Sequence, residues 1–111
     1  MRTAFALCAI VALTNCSSET PEERAARNCQ SELSAFSMAQ AFTKRRLKSP
    51  KTADFSGWND SVVVYQGDCI HTVQGWVDAQ NSFGASVRTH YVAKLEYLKD
   101  EDKWHLHSLN M

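Results

Sequence analysis

The chain has 111 residues, 44% of them hydrophobic, with 12 basic and 12 acidic side chains. Balanced charge argues against a binder of nucleic acid or another polyanion. The length suits one domain with one modest core, and no internal repeat or low-complexity stretch divides it.

Arg2 is followed by an uninterrupted apolar run, Ala4 to Leu13. The run is too short to span a bilayer but has the length of a secretory signal core. Leu13-Thr14-Asn15-Cys16 follows it directly. This resembles the lipobox of bacterial lipoproteins, with Asn15 standing where Gly, Ala or Ser is usual. The resemblance implies a signal peptide over residues 1–15, removed to leave Cys16 as a lipidated first residue. It implies a membrane anchor through that lipid, and Ser17 after the cysteine points to the outer membrane, facing the periplasm. The alternative is a plain secreted protein with Cys16 free or paired. Removing residues 1–15 from the 111 leaves 96. Residues 16–20 form the tether, and the four from Ser17 to Thr20 reach at most roughly 14 Å.

A single α+β domain is expected over residues 21–111. Thr20-Pro21-Glu22-Glu23 is a helix start: Thr20 can cap, Pro21 suits the first helical position, and Glu23 completes a capping box. One helix is expected to run to about Lys48, where Pro50 ends it. Its apolar stripe is Cys29, Leu33, Phe36, Ala39 or Gln40, Phe42 and Leu47. Lys44, Arg45, Arg46 and Lys48 crowd its last turns. They suit the negative end of the helix dipole; the alternative is contact with anionic lipid or an acidic partner. A Pro- and Gly-punctuated crossing over Ser49–Trp58 comes next, with Phe55 and Trp58 expected under the sheet edge. A strand is expected over Asp60–Tyr65, a turn at Gln66-Gly67-Asp68, and a second strand from near Cys69.

The stretch Trp76–Tyr97 reads as a long hairpin. In its second arm Val87, Thr89, Tyr91, Ala93, Leu95 and Tyr97 alternate with Arg88, His90, Val92, Lys94 and Glu96, the period of a half-buried strand. In the first arm Val73, Val77 and Ala79 share one face, while Thr72, Gln74, Trp76 and Asp78 take the other. Asn81-Ser82-Phe83-Gly84 is the expected connection. A polar turn, Lys99–Lys103, leads to a last strand over Trp104–Leu109. The expected architecture is one N-terminal helix packed on a four-stranded antiparallel meander, an order that resembles cystatin-like folds. By fold analogy alone that order fixes no function.

Of the four cysteines, Cys8 leaves with the signal and Cys16 carries lipid, so Cys29 and Cys69 remain as an even pair in an oxidising compartment. The helix from Cys29 to Leu47 is about 27 Å long, and a strand from Asn59 to Gln66 returns roughly 26 Å. Cys69 thus comes back level with Cys29, and a disulfide between them is expected. The alternative is two buried thiols. His105 and His107 share a strand face, with His71 and His90 as further candidates, but two ligands make no zinc site, and solvent-facing or partner-facing imidazoles are expected. Neither a nucleophile motif nor a phosphate-binding glycine loop occurs. No catalytic residue, metal or cofactor is therefore expected.

The strings LKSPKTADF and VDAQNSFGASVRT together resemble a pattern in small bacterial and phage-encoded proteins, some of them lipoproteins, over roughly Phe42 to Tyr97. That resemblance brings no known activity with it. The expected function is a non-enzymatic, membrane-anchored module that binds a protein in the periplasm, of inhibitor, immunity or exclusion type. The residues expected to meet the partner are Trp76, Asp78, Phe83, Arg88, His90 and Lys94, the outward face of the hairpin and its tip. A structural subunit of an envelope or secretion complex, and a small-ligand-binding domain, are the alternatives.

Overall fold

The computed structural model describes residues 19–111, so the signal, the lipobox and Cys16 lie outside the described residues. The fold is α+β, with two helices and an antiparallel sheet of five strands. α1 spans Pro21–Cys29 and α2 Glu32–Lys44. β1 spans Asp54–Phe55, β2 Val62–Gly67, β3 Ile70–Gln80, β4 Ser86–Leu98 and β5 Lys103–Asn110.

The helical region departs from the expected single helix. Thr20 does cap α1 in a complete capping box: its side chain accepts the Glu23 N–H, and Glu23 accepts the Thr20 N–H. The helix then stops at Cys29, and Ser31 caps a second start by accepting the Ser34 N–H at 3.1 Å. A serine hydroxyl competes for backbone donors and favours a cap over a helix interior. The break re-phases the apolar stripe. Ala35, Phe36, Ala39 and Thr43 face the sheet, whereas Leu33 is turned out and 63% exposed. α2 also ends at Lys44 rather than Lys48. Its last turn tightens through Arg46 N–H to the Thr43 carbonyl and Leu47 N–H to the Lys44 carbonyl, and Ser49-Pro50 then forbids continuation.

β3 and β4 form the spine, paired without a break from Ile70 opposite Glu96 to Gln80 opposite Ser86. β1 and β2 share the other edge of β3: β1 lies beside Val77 and Asp78, β2 beside Ile70 to Gln74. The expected four strands become five because Asp54 and Phe55 make this short pairing before the chain turns away over Trp58–Asp60. Between them Ser56 is buried, and its hydroxyl accepts the Trp76 N–H at 3.1 Å. The β2–β3 connection is Asp68-Cys69, both at positive φ, which places Cys69 in the turn rather than in a strand. A two-residue hairpin loop of this kind matches the twist of its strands. β5 completes the sheet beside β4, with His107 as an extra bulged residue between Leu106 and Ser108.

The core lies between α2 and one face of the sheet. Val73, Val77, Ala93 and Leu95 have no solvent exposure, and Tyr91 has 1%. Full burial of Val73, Val77 and Leu95 contributes roughly 1.5–3 kcal/mol each. Gly75 lies opposite Tyr91, and a Cβ there would stand 2.7 Å from Ser56 Oγ and 2.9 Å from the Tyr91 hydroxyl. Glycine at this position lets the Tyr91 ring cross β3. Phe55 closes the edge against Tyr91, while Trp58 only half tucks in, its ring meeting Phe36 edge-on at 5.3 Å and remaining 44% exposed. A smaller cluster of Cys29, Cys69 and Tyr97 closes the α1 end. There Cys29 is joined to Cys69 with their Cα atoms 4.5 Å apart.

Candidate functional site

The helices cover one face of the sheet, and strict alternation sends the other side chains of the spine to the opposite face. The centre of that face is a cross-strand ladder. Trp76 lies opposite His90 and Asp78 opposite Arg88. Arg88 donates to both Asp78 carboxylate oxygens, from Nε at 2.8 Å and from Nη2 at 2.9 Å. Its guanidinium carbon stands 3.6 Å above the centre of the Trp76 ring. The hydrogen bonds from Arg88 hold the Asp78 carboxyl below its usual range, and the same bonds push the guanidinium higher. A fork matched to a carboxylate and stacked on an indole is a geometry that lysine cannot reproduce. Trp76 is thus half-buried beneath a fixed cation rather than a free ring.

Beside the ladder is a shallow depression of about 240 Å³, walled by Trp76, His90, Val92, Val62, Gln74 and Asp60. Val62 is 53% and Val92 37% exposed. Apolar side chains thus flank a rigid ladder on an open sheet face. Alternation assigns Val92 to this face in advance. The exposure of Val62 depends on where β2 pairs, which strand propensity does not reveal.

The sequence candidates divide between two places. Trp76, Asp78, Arg88, His90 and Lys94 share the outer face. Phe83 does not belong to it. It sits in the β3–β4 loop and is 93% exposed. That loop has five residues, 81–85, one more than expected, because the Asn81 N–H bonds the Ala85 carbonyl. Asn81 Oδ1 accepts the N–H groups of Phe83 and Ala85, at 2.9 and 3.1 Å, and Gly84 takes positive φ. The loop is held in one shape and presents the ring outward.

The histidines do not converge. His105 and His107 have ring centres 5.2 Å apart, and His107 meets Glu96 at 2.8 Å. His71 lies on the opposite, helix-covered face, fully buried between Tyr65 and Trp104. Neither of its ring nitrogens completes a hydrogen bond, although the backbone of Gln30 lies near enough to favour protonation. Among the described residues, no three His, Cys, Asp or Glu side chains stand close enough to hold a metal ion.

Tyr91 also has an unpartnered buried hydroxyl, whose pKa burial pushes up to about 12. It is locked under Gly75 and does not reach the outer face. At the far end of the sheet, a hollow of about 410 Å³ is lined by Asp68, Glu96, Tyr97 and the turn Leu98–Glu101. It is larger and charged side chains line it, but among the described residues no arginine stacks on an aromatic ring there as Arg88 does on Trp76. The outer hairpin face is the better candidate. Among the described residues no helix is long and apolar enough to cross a membrane. Compared with protein-family models, with curated proteins and with solved structures, the chain matches none.

Proposed function

We propose that this protein is a lipid-anchored domain of the bacterial envelope that binds another protein non-enzymatically, through the outer face of the β3–β4 hairpin. The observation that carries the reading is the Asp78–Arg88–Trp76 ladder on an open sheet face. Tryptophan and arginine dominate interface energies when a partner excludes water from them. Here both are already held in one geometry, so little side-chain freedom remains to be lost on binding. His90, Lys94 and the flanking valines supply a polar and apolar surround. Lipidation at Cys16 is supported by the apolar run and the Leu13–Cys16 lipobox-like string. The order of α2 followed by β2 to β5 supports a cystatin-like arrangement by analogy, from which α1 and β1 depart. The dense packing of Val73, Val77, Ala93 and Leu95 against α2 weighs against a small-ligand pocket there.

The test is capture of the partner from the native envelope by wild-type and variant proteins. Trp76→Ala and Arg88→Ala should each weaken capture by about tenfold or more, with the thermal midpoint little changed. Tyr91→Ala should instead lower stability by about 3–5 kcal/mol, as for other large buried rings. Capture by Trp76→Ala at wild-type strength would overturn the assignment of this face.

A further inference from the structure

Between Glu32 and Asp54 the chain contains no acidic residue, yet it carries Lys44, Arg45, Arg46, Lys48 and Lys51. All five are exposed. Among the described residues none of them joins an ion pair. Arg46 donates to the Leu109 carbonyl at 3.1 Å, and Arg45 leans over the Phe42 ring at 5.2 Å. The segment is fixed to the hairpin end of the sheet: Thr52 Oγ1 accepts the Gln80 N–H at 2.9 Å. Arg46, Leu47 and Lys48 wall one hollow with Asn81, Val87 and Met111. Arg46 and Lys48 therefore stand at the base of the loop that presents Phe83, with Lys51 next to the Thr52 tie and Lys44 and Arg45 in the preceding turn. Val87 and Met111, 44% and 45% exposed, lie in the same region.

The opposite end is acidic. The β2–β3 and β4–β5 turns hold Asp68, Asp100, Glu101 and Asp102 against Lys99, with Lys103 paired to Glu101, and Glu22 of α1 lines a hollow with Lys99 and Asp100. Zero net charge thus hides a molecule with two poles, about 36 Å apart along β3. We propose that the basic pole is a peripheral membrane contact, in which Lys44, Arg45, Lys48 and Lys51 meet anionic lipid headgroups and Phe83 enters the interfacial layer. Exposed cations without ion-pair partners create a diffuse field rather than a shaped site. Headgroups that move laterally can follow such a field, whereas a folded acidic partner would need carboxylates matched to each side chain. A single aromatic ring held out on a stiff loop suits the apolar layer just beneath those headgroups.

The contact is independent of the ladder face and of lipidation, so it is tested on the full chain carrying Cys16→Ala. Flotation is compared on vesicles of phosphatidylcholine alone and of phosphatidylcholine with about a third phosphatidylglycerol. The apolar run of residues 4–13 acts on both, so the readout is the ratio between them. Partition onto the anionic vesicles should be at least about tenfold higher and should collapse in about 0.5 M salt. Lys44→Glu/Arg45→Glu/Lys48→Glu should abolish the preference, and Phe83→Ala should lower anionic binding about threefold. Thermal melts confirm folding, and Lys48→Glu/Lys51→Glu, beyond α2, serves if the triple variant does not fold. Equal partition onto both vesicles, or a preference that survives charge reversal, overturns the proposal. So does retention on a polyglutamate matrix without vesicle preference, which would assign the pole to an acidic protein. Unchanged binding by Phe83→Ala overturns the role of the loop.

Discussion

His71 combines full burial, two unpartnered ring nitrogens and a place between Tyr65 and Trp104, so its charge state is set by packing. Burial lowers its pKa from 6.5, with the Glu32 carboxylate and the Gln30 backbone opposing part of the shift. As pH falls through about 6.5, the unfolded chain takes up a proton that the folded ring refuses. Stability from this residue is complete above that pH. It declines as pH falls, until the folded ring also protonates. Urea midpoints should therefore drop between pH 7.5 and 5.5 in the wild type, and the drop should shrink in His71→Phe. An equal drop in both proteins would place the effect elsewhere. Full burial of His71 corrects the expected solvent- or partner-facing imidazole; alternation along β3, which puts it on the same face as Val73 and Val77, is the physical reason. Its aromatic surround was not legible in the sequence, because Trp104 arrives from the far end of the chain. Gly75 was opaque for the same reason, since the Tyr91 ring that demands it belongs to another strand.

Among the elements, the hairpin was readable because its period of two runs through Tyr91, Ala93, Leu95 and Tyr97 without interruption. The helical region was not. An apolar stripe that skips across Gln30 and Ser31 can be continued on paper, while a capping hydroxyl restarts the helix in space. β1 escaped notice because two residues carry no period. The Cys29–Cys69 link closes a separation of 40 residues and joins the end of α1 to the β2–β3 turn. Tyr65 supports this corner, its hydroxyl accepting the Cys69 N–H at 3.3 Å and lying 3.6 Å from Cys29 Sγ. Cys69→Ser should cost about 2–5 kcal/mol in denaturant unfolding. Thiol titration of the denatured, unreduced wild type should find neither cysteine free, and two reactive thiols would overturn the link.

For the molecule as a whole, equal numbers of acidic and basic residues conceal the separation of charge, because composition has no coordinates. The return of Gln80 to Thr52 and the bond from Arg46 to Leu109 bring the basic stretch to the hairpin end. Anchoring belongs to this scale as well. Cys16→Ala should remove the acyl mass, read by mass spectrometry; wild-type protein without acyl mass would exclude the lipobox reading. Under the proposed anchoring, the position of the disulfide also determines how the molecule withstands tension. A pull between the N-terminus and a partner gripping the hairpin can unravel α1 only as far as Cys29. The force then crosses covalently to Cys69 and enters β3 one residue later. Residues 30–68, with α2, β1 and β2, lie outside that path as a slack loop. Reduction would put them in series, adding their length to the extension and letting α2 peel from the sheet before the spine carries any force.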